Sequence, residues 1–106
     1  MKNSEILAQF TRGGIYMLGE YRGAKAETVN YRDKVSGKPA KFSSHLHVVE
    51  SGDETITFQD RVEEGVDTAT LKPKFAKGTK IFVRVESVEK VQGFLRATGT
   101  MFAVEA

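Results

Sequence analysis

The stretch VSGKPAKFSSHLHVVESGDETITFQ, residues 35–59, contains the pattern that decides the fold. Its first half alternates along the chain, and a tight Gly52-Asp53 turn separates it from a second run rich in Thr, Ile and Phe. A period of two is typical of a β-strand, and a Gly-Asp pair between two such runs is typical of a hairpin. The alternation predicts one face with Phe42, Ser44, Leu46 and Val48, and an opposite, outward face with Ser43, His45, His47 and Val49.

The same β pattern continues from residue 15 onward. Gly19 and Gly23 interrupt the first strand, and interior glycines often mark a bulge where a sheet bends to close. We expect five strands, near residues 15–31, 40–50, 54–60, 79–89 and 94–104, with a long connection between the third and the fourth. This order predicts an all-β fold, a five-stranded Greek-key barrel of the OB type over residues 15–106. An SH3-like barrel is the alternative.

Residues 1–14 precede the β pattern. Ser4, the following EILAQF and Gly13-Gly14 have the order of an N-cap, a short helical run and a glycine stop. We expect an N-terminal extension or a short helix here.

Length and composition exclude several classes of protein. The chain has 106 residues, which suits one domain with one functional surface. It contains no cysteine, which excludes a disulfide scaffold, a zinc ribbon and a thiol nucleophile, and fits a reducing compartment. No apolar run approaches the roughly 20 residues of a membrane-spanning helix, and no signal-peptide core is visible. We therefore expect a cytoplasmic protein of a bacterium or a phage-infected host, with no membrane partner.

Charge is segregated along the chain, although the net charge is only +2. Residues 22–41 contain six Lys or Arg and two acids, and residues 72–84 contain five basic residues and no acid. Residues 50–67 contain seven acids and one Arg. Surfaces selected only for solubility usually mix the signs, so the pattern predicts one positive and one negative face. Charged turns that cluster by chance are the alternative.

The His45-Leu46-His47 sequence comes nearest to a metal site. Alternate strand positions place two imidazoles on one face, as metal sites in cupin barrels require. A third histidine is missing, and Glu50 follows His47 at a spacing that projects it from the other face. We therefore expect two surface histidines and neither a metal nor another cofactor. A small cupin-like metal enzyme is the weaker alternative.

Motifs for catalysis are missing from the sequence. The serines are scattered without a G-x-S-x-G elbow, and no histidine is placed to orient a Ser and an Asp. Gly13-Gly14 precede a strand rather than a helix, so they form no phosphate-binding loop or dinucleotide fingerprint. We expect a protein that is not an enzyme and has no small-molecule substrate.

Basic and aromatic residues are interleaved in YRGAKAETVNYRDKVSGKPAKF, residues 21–42. Cationic side chains neutralise phosphates and aromatic rings stack on unpaired bases, so this mixture favours single-stranded nucleic acid. Most of the seven Phe and three Tyr must fill the core, and Phe42 and Phe58 have inward parity. Tyr31, Phe82 and Phe94 are the candidates for exposure. The predicted binding residues are Arg22, Lys25, Tyr31, Arg32, Lys34, Lys38, Lys41, Phe82, Arg84, Phe94 and Arg96.

The order of these features resembles the filamentous-phage gene V family of single-stranded DNA-binding proteins, which are OB-fold dimers. The resemblance is colinear over most of the chain, but residues 1–14 have no counterpart. The residues that carry it are Gly37-Lys38-Pro39 after a basic loop, then Leu46, Val49, Glu50 and Gly52, and finally KFAKGTKIFVRVESVEKVQGFLRA, residues 74–97.

The resemblance implies roles for individual residues. Arg32, Lys34 and Lys38 would lie in the DNA-binding loop. Phe94 would be a hairpin aromatic that reaches a base bound mainly by the partner subunit, and Arg96 a further basic contact. Two positions depart from the family: it has an aromatic residue where this chain has Ala40, and a cysteine where it has His47.

The leading hypothesis is a homodimeric, largely sequence-independent single-stranded DNA-binding protein that acts in DNA replication or phage genome handling. The sequence does not distinguish DNA from RNA. The alternative is an SH3- or OB-like protein-interaction module that docks a partner through strand edges and the acidic residues 63–67.

Overall fold

The computed structural model describes residues 1–91 and 93–105, apart from the side chains of Phe10, Thr11, Val91 and Phe94. This part of the chain contains helix α1 (Asn3–Thr11), strands β1 (Ile15–Arg32), β2 (Pro39–Ser51), β3 (Glu54–Val62), β4 (Lys80–Val91) and β5 (Phe94–Ala103), and a 3₁₀ helix (Thr68–Thr70). The all-β class, the five strands and the long connection after β3 are confirmed. Within these residues, no helix is long and apolar enough to cross a membrane.

The five strands form one sheet that closes on itself in the order β1-β2-β3-β5-β4. β1 pairs antiparallel with β2 along most of its length and with β4 near its start. β3 and β5 pair in parallel over a short contact that runs from Ile56↔Leu95 to Phe58↔Ala97. The long β1 strand therefore belongs to both halves of the ring, β1–β2–β3 and β1–β4–β5. The short parallel contact between β3 and β5 closes the ring.

Two glycines let β1 bend between its two partners. A Cβ atom at Gly19 would lie 2.6 Å from Cγ1 of Val49 and 2.9 Å from the carbonyl oxygen of Glu50, so only glycine fits this close approach. Gly23 has a φ of 129°, and the β1–β2 register shifts between Tyr21 and Gly23. The bulge predicted from the interior glycines is confirmed at Gly23.

The core lies inside the closed sheet. Its buried members come from all five strands, and they are Tyr21, Val49, Phe58, Ile81, Val83 and Ala97. Full burial of a side chain such as Phe58 contributes roughly 1.5–3 kcal/mol relative to leaving it in water. The predicted inward position of Phe58 is confirmed by its 2% exposure.

The outer face of the β1–β4–β5 half carries an apolar row. Leu18, Phe82 and Phe102 are cross-strand partners there. The prediction that Phe82 is exposed is wrong, because its side chain is fully buried and stacks on Tyr16 with ring centroids 5.4 Å apart. Leu18 and Phe102, on either side of Phe82, remain 53% and 37% exposed.

Helix α1 confirms the short N-terminal helix. It begins one residue before Ser4, and the Lys2 carbonyl accepts the backbone N–H groups of Glu5 and Ile6, so Ser4 is not the N-cap. Ile6 is buried on the helix, and the terminal amine of Met1 donates to the Ala103 carbonyl. The helix is thereby anchored to the end of β5.

Candidate nucleic-acid interface

The β1–β2 hairpin extends beyond the core as a basic arm, residues 28–43. Its two strands remain paired as far as Arg32↔Pro39. The arm contains five of the predicted binding residues, and all five are exposed: Tyr31, Arg32, Lys34, Lys38 and Lys41.

Hydrogen bonds hold the tip of the basic arm in one conformation. The Asp33 carboxylate accepts the backbone N–H groups of Val35 at 2.7 Å and Ser36 at 3.1 Å, and the Arg32 guanidinium donates to the Gly37 carbonyl at 3.0 Å. The N–H of Ser36, followed by that of Val35, lowers the pKa of Asp33, because both bonds favour the ionised carboxylate. Gly37 supplies the φ of 70° that the turn requires. Lys34 and Lys38 are thus displayed on an ordered turn.

An aromatic and cationic cluster links the arm to β3. The Tyr31 and Phe42 rings meet edge to face with centroids 5.8 Å apart, and the Arg61 guanidinium carbon lies 5.3 Å from the Phe42 centroid. Tyr31 is 44% exposed, which confirms its predicted exposure. Phe42 lies on the same face of the sheet as Tyr31, whereas Phe58 lies on the opposite face, inside the closed sheet. The predicted inward position of Phe42 is therefore wrong. The cluster gives the arm a solvent-accessible aromatic ring, that of Tyr31, next to its cations.

A groove separates the arm from the connection after β3. Tyr31, Lys41, Phe42 and Arg61 line its strand side. The opposite side consists of the acidic loop, residues 63–67, whose Glu63, Glu64 and Asp67 also line the groove. The predicted positive and negative regions therefore face each other across one groove, a proximity that the charge pattern alone did not indicate.

The other predicted binding residues are dispersed. Arg22 forms ion pairs with Glu20 and Glu50, each at 3.4 Å. Arg96 is half-buried and pairs with Glu27 at 3.3 Å. Both cations therefore have carboxylate partners within the fold.

Lys25 and Arg84 are exposed, but Arg84 pairs with Tyr16, near the opposite end of β1 from the arm. The Phe94 backbone pairs with Val91 at the β4–β5 turn, whereas its side chain lies outside the described residues. The basic arm is thus the place where five of the eleven predicted residues meet.

The structure corrects the predicted orientation of the histidines. His47 is fully buried on the face of β2 that carries Val49, inside the closed sheet, and His45 is half-buried with its ring centroid 4.3 Å away. Leu46 and Ser44, on the opposite face, are buried as well. Since both faces of β2 are covered, the alternation of side chains could not show which face is inward.

A polar network links the buried His47 and Tyr21 to the partly exposed Asp60 and Lys74. Asp60 Oδ2 accepts from Lys74 Nζ at 2.8 Å and lies 3.1 Å from Nε2 of His47. A carboxylate can only accept, so Nε2 carries the proton and Nδ1 of the neutral ring accepts the Tyr21 hydroxyl at 2.7 Å. The Tyr21 oxygen in turn accepts the backbone N–H of Lys74 at 3.2 Å. The network connects β1, β2 and β3 to the connection that follows them.

The pKa shifts agree with this assignment. Burial lowers the pKa of His47, and His45 and Lys74 add to the effect while Asp60 opposes it. Burial would raise the pKa of Asp60, but the hydrogen bond and charge of Lys74, followed by those of His47, lower it overall. His47 is therefore held neutral and Asp60 ionised.

The polar network is what the sequence reasoning missed. The available signal was the shared parity of His47 and Val49, but Ser43 and His45 on the same strand face made that face look more polar than the opposite one. Among the described side chains, the network included, no group of three or more His, Cys, Asp or Glu residues could hold a metal ion.

No protein-family model, curated protein or solved structure matches this chain.

Proposed function

We propose that this protein binds single-stranded DNA without strong sequence preference, as a non-enzymatic binding protein that uses the basic arm. The observation that carries the proposal is Tyr31, a half-exposed ring beside Phe42 and Arg61 on an arm that also displays Arg32, Lys34, Lys38 and Lys41. We place it in DNA replication or phage genome handling, in the cytoplasm, acting without a cofactor.

The arm combines the two interactions that a single strand offers. Cations that neutralise phosphates release condensed counterions, which gives an affinity that falls with salt. A stacked base contributes roughly 1–3 kcal/mol and requires a ring accessible from solvent. Tyr31 provides that ring, and the ordered tip places Lys34 and Lys38 nearby.

The strand order supports an OB-type assignment within this proposal. A five-stranded Greek-key barrel of that type binds oligonucleotides across strands 2 and 3, between the β1–β2 and β4–β5 loops. Here the β1–β2 loop is the tip of the basic arm, and the Arg96–Glu27 ion pair connects β5 to β1. The resemblance to the gene V family belongs to the same proposal.

We also propose that the protein forms a homodimer through the apolar row on the outer face of β1, β4 and β5. Leu18 and Phe102 are large, partly exposed and adjacent to the buried Phe82. Contiguous apolar surface of this kind often marks an interface. Sedimentation equilibrium should give a dimer for the wild type and a monomer for Phe102→Ser, and a monomeric wild type would reject the interface.

The experiment that tests the main proposal is a titration of tyrosine fluorescence with single- and double-stranded oligonucleotides at two salt concentrations. We expect tighter binding of the single strand and weaker binding at the higher salt concentration. Absence of any binding at about 50 mM salt, where electrostatic attraction is strong, would favour the protein-interaction module instead.

A further inference from the structure

The groove beside the basic arm has two chemically different sides. Tyr31, Phe42 and Arg61 form an aromatic and cationic side, and Glu63 and Glu64 lie on the acidic side. Within the described residues, neither glutamate side chain takes part in a hydrogen bond or an ion pair. Asp67 is different, because its carboxylate accepts the Ala69 N–H at 3.0 Å and caps the 3₁₀ helix. Two uncommitted carboxylates therefore face a surface suited to base stacking.

Carboxylates in such a position would repel phosphate, so their role must concern a different part of the strand. A carboxylate only accepts hydrogen bonds, and its two oxygens match two adjacent N–H donors. Guanine presents such a pair, N1–H and the 2-amino group, on its Watson–Crick edge. Thymine presents a single N–H between two carbonyl oxygens, which a carboxylate repels.

We propose that the groove accepts one unstacked base of the bound strand and selects guanine. The base stacks against Tyr31, its phosphate lies toward Lys41, and its Watson–Crick edge donates to Glu63 or Glu64. This inference rests on the proposed single-strand binding and adds a base preference at one position. Binding along the rest of the strand remains independent of sequence.

The test uses oligothymidine of about 16 nucleotides, a length within the range that one OB fold covers, with dG, deoxyinosine or dT at its centre. Hypoxanthine retains N1–H and O6 of guanine but lacks the 2-amino group. We expect the dG oligonucleotide to bind roughly tenfold more tightly than the dT oligonucleotide, which is about 1.4 kcal/mol, with deoxyinosine in between.

The matched variants are Glu63→Ala/Glu64→Ala and Asp53→Ala/Glu54→Ala. Each variant removes two negative charges, but Asp53 and Glu54 lie at the β2–β3 turn and do not line the groove. The dG preference should disappear only in the first variant.

Equal binding of the three oligonucleotides by the wild type overturns the base preference and leaves the proposed function intact. A preference that persists in Glu63→Ala/Glu64→Ala, or that is lost in both variants, also overturns it. Failure to bind any oligonucleotide rejects the proposed function and this inference with it.

Discussion

Tyr21 and Tyr31 are the same residue type, ten positions apart on one strand, with opposite environments. Tyr21 is fully buried, and its hydroxyl is hydrogen-bonded to His47 and to the Lys74 backbone. Tyr31 is 44% exposed and contacts Phe42 at the ring edge. One tyrosine is part of the core, and the other remains accessible to solvent.

The bulge at Gly23 places the two tyrosines on opposite faces of the sheet. An even spacing would place both tyrosines on the same face of a regular strand. The register shift between Tyr21 and Gly23 inserts one unpaired residue, so Tyr21 pairs with Val49 whereas Tyr31 pairs with Ala40, on the opposite face of β2. A single inserted residue thus exchanges the two faces of β1 beyond the bulge, and Tyr31 is exposed because the arm extends beyond the core.

The largest expected effect is on the buried side of this comparison. Tyr21→Ala should lower the free energy of unfolding by about 3–5 kcal/mol, because it removes a core ring and leaves the His47 Nδ1 without a donor. Urea denaturation measures the loss, which is a large part of the roughly 5–15 kcal/mol typical of a domain. Tyr31→Ala is the control and should change stability by less than about 0.5 kcal/mol. Equal losses in the two variants would show that Tyr31 is also a core residue.

For the affinity for single-stranded DNA, Tyr31 should matter most. Tyr31→Ala should weaken the affinity for oligothymidine by about 1–3 kcal/mol, the contribution of one stacked base. Fluorescence anisotropy of a labelled oligonucleotide measures the change without relying on the tyrosine signal. Tyr31→Phe keeps the flat ring and should retain most of the affinity. An affinity unchanged in Tyr31→Ala would exclude stacking at this position.

The cations of the arm should control the salt dependence. For single strands, each phosphate contact contributes about 0.7 to the slope of log K against log salt, so Lys34→Ala/Lys38→Ala should reduce the slope by about 1.4. Lys72→Ala/Lys77→Ala removes the same charge from exposed positions in the connection before β4 and is the matched control. An equal change in both variants would indicate general attraction by net charge rather than contacts at the arm. Lys34 and Lys38 suit this test better than Arg32, whose guanidinium also holds the turn.

Much of the fold could be predicted from local pattern, and the errors in the orientation of strand side chains have one physical source. A period of two located the strands, and the interior glycines located the bulge at Gly23. Phe82 and His47 were misplaced because strand parity separates two faces without showing what covers each of them. Phe82 is buried on the outer face of β4, and Leu46 on the outer face of β2. Outer-face side chains such as these are buried by residues that are distant in the sequence. The alternation of residues within one strand carries no information about such contacts.

The polar network around the buried His47 also predicts a pH dependence that the exposed arm does not share. Because burial lowers the pKa of folded His47, the unfolded chain takes up a proton below about pH 6.5 while the folded chain does not. Protonation therefore favours unfolding, and the melting temperature should fall as the pH decreases from about 7 to 5. Asp60 acts in the same direction at lower pH, since its lowered pKa gives stability that is lost below about pH 3.8. His47→Gln removes the histidine titration and should flatten the dependence between about pH 7 and 5, as thermal denaturation by circular dichroism would show. The same slope in wild type and variant would mean that His47 is not the group that titrates.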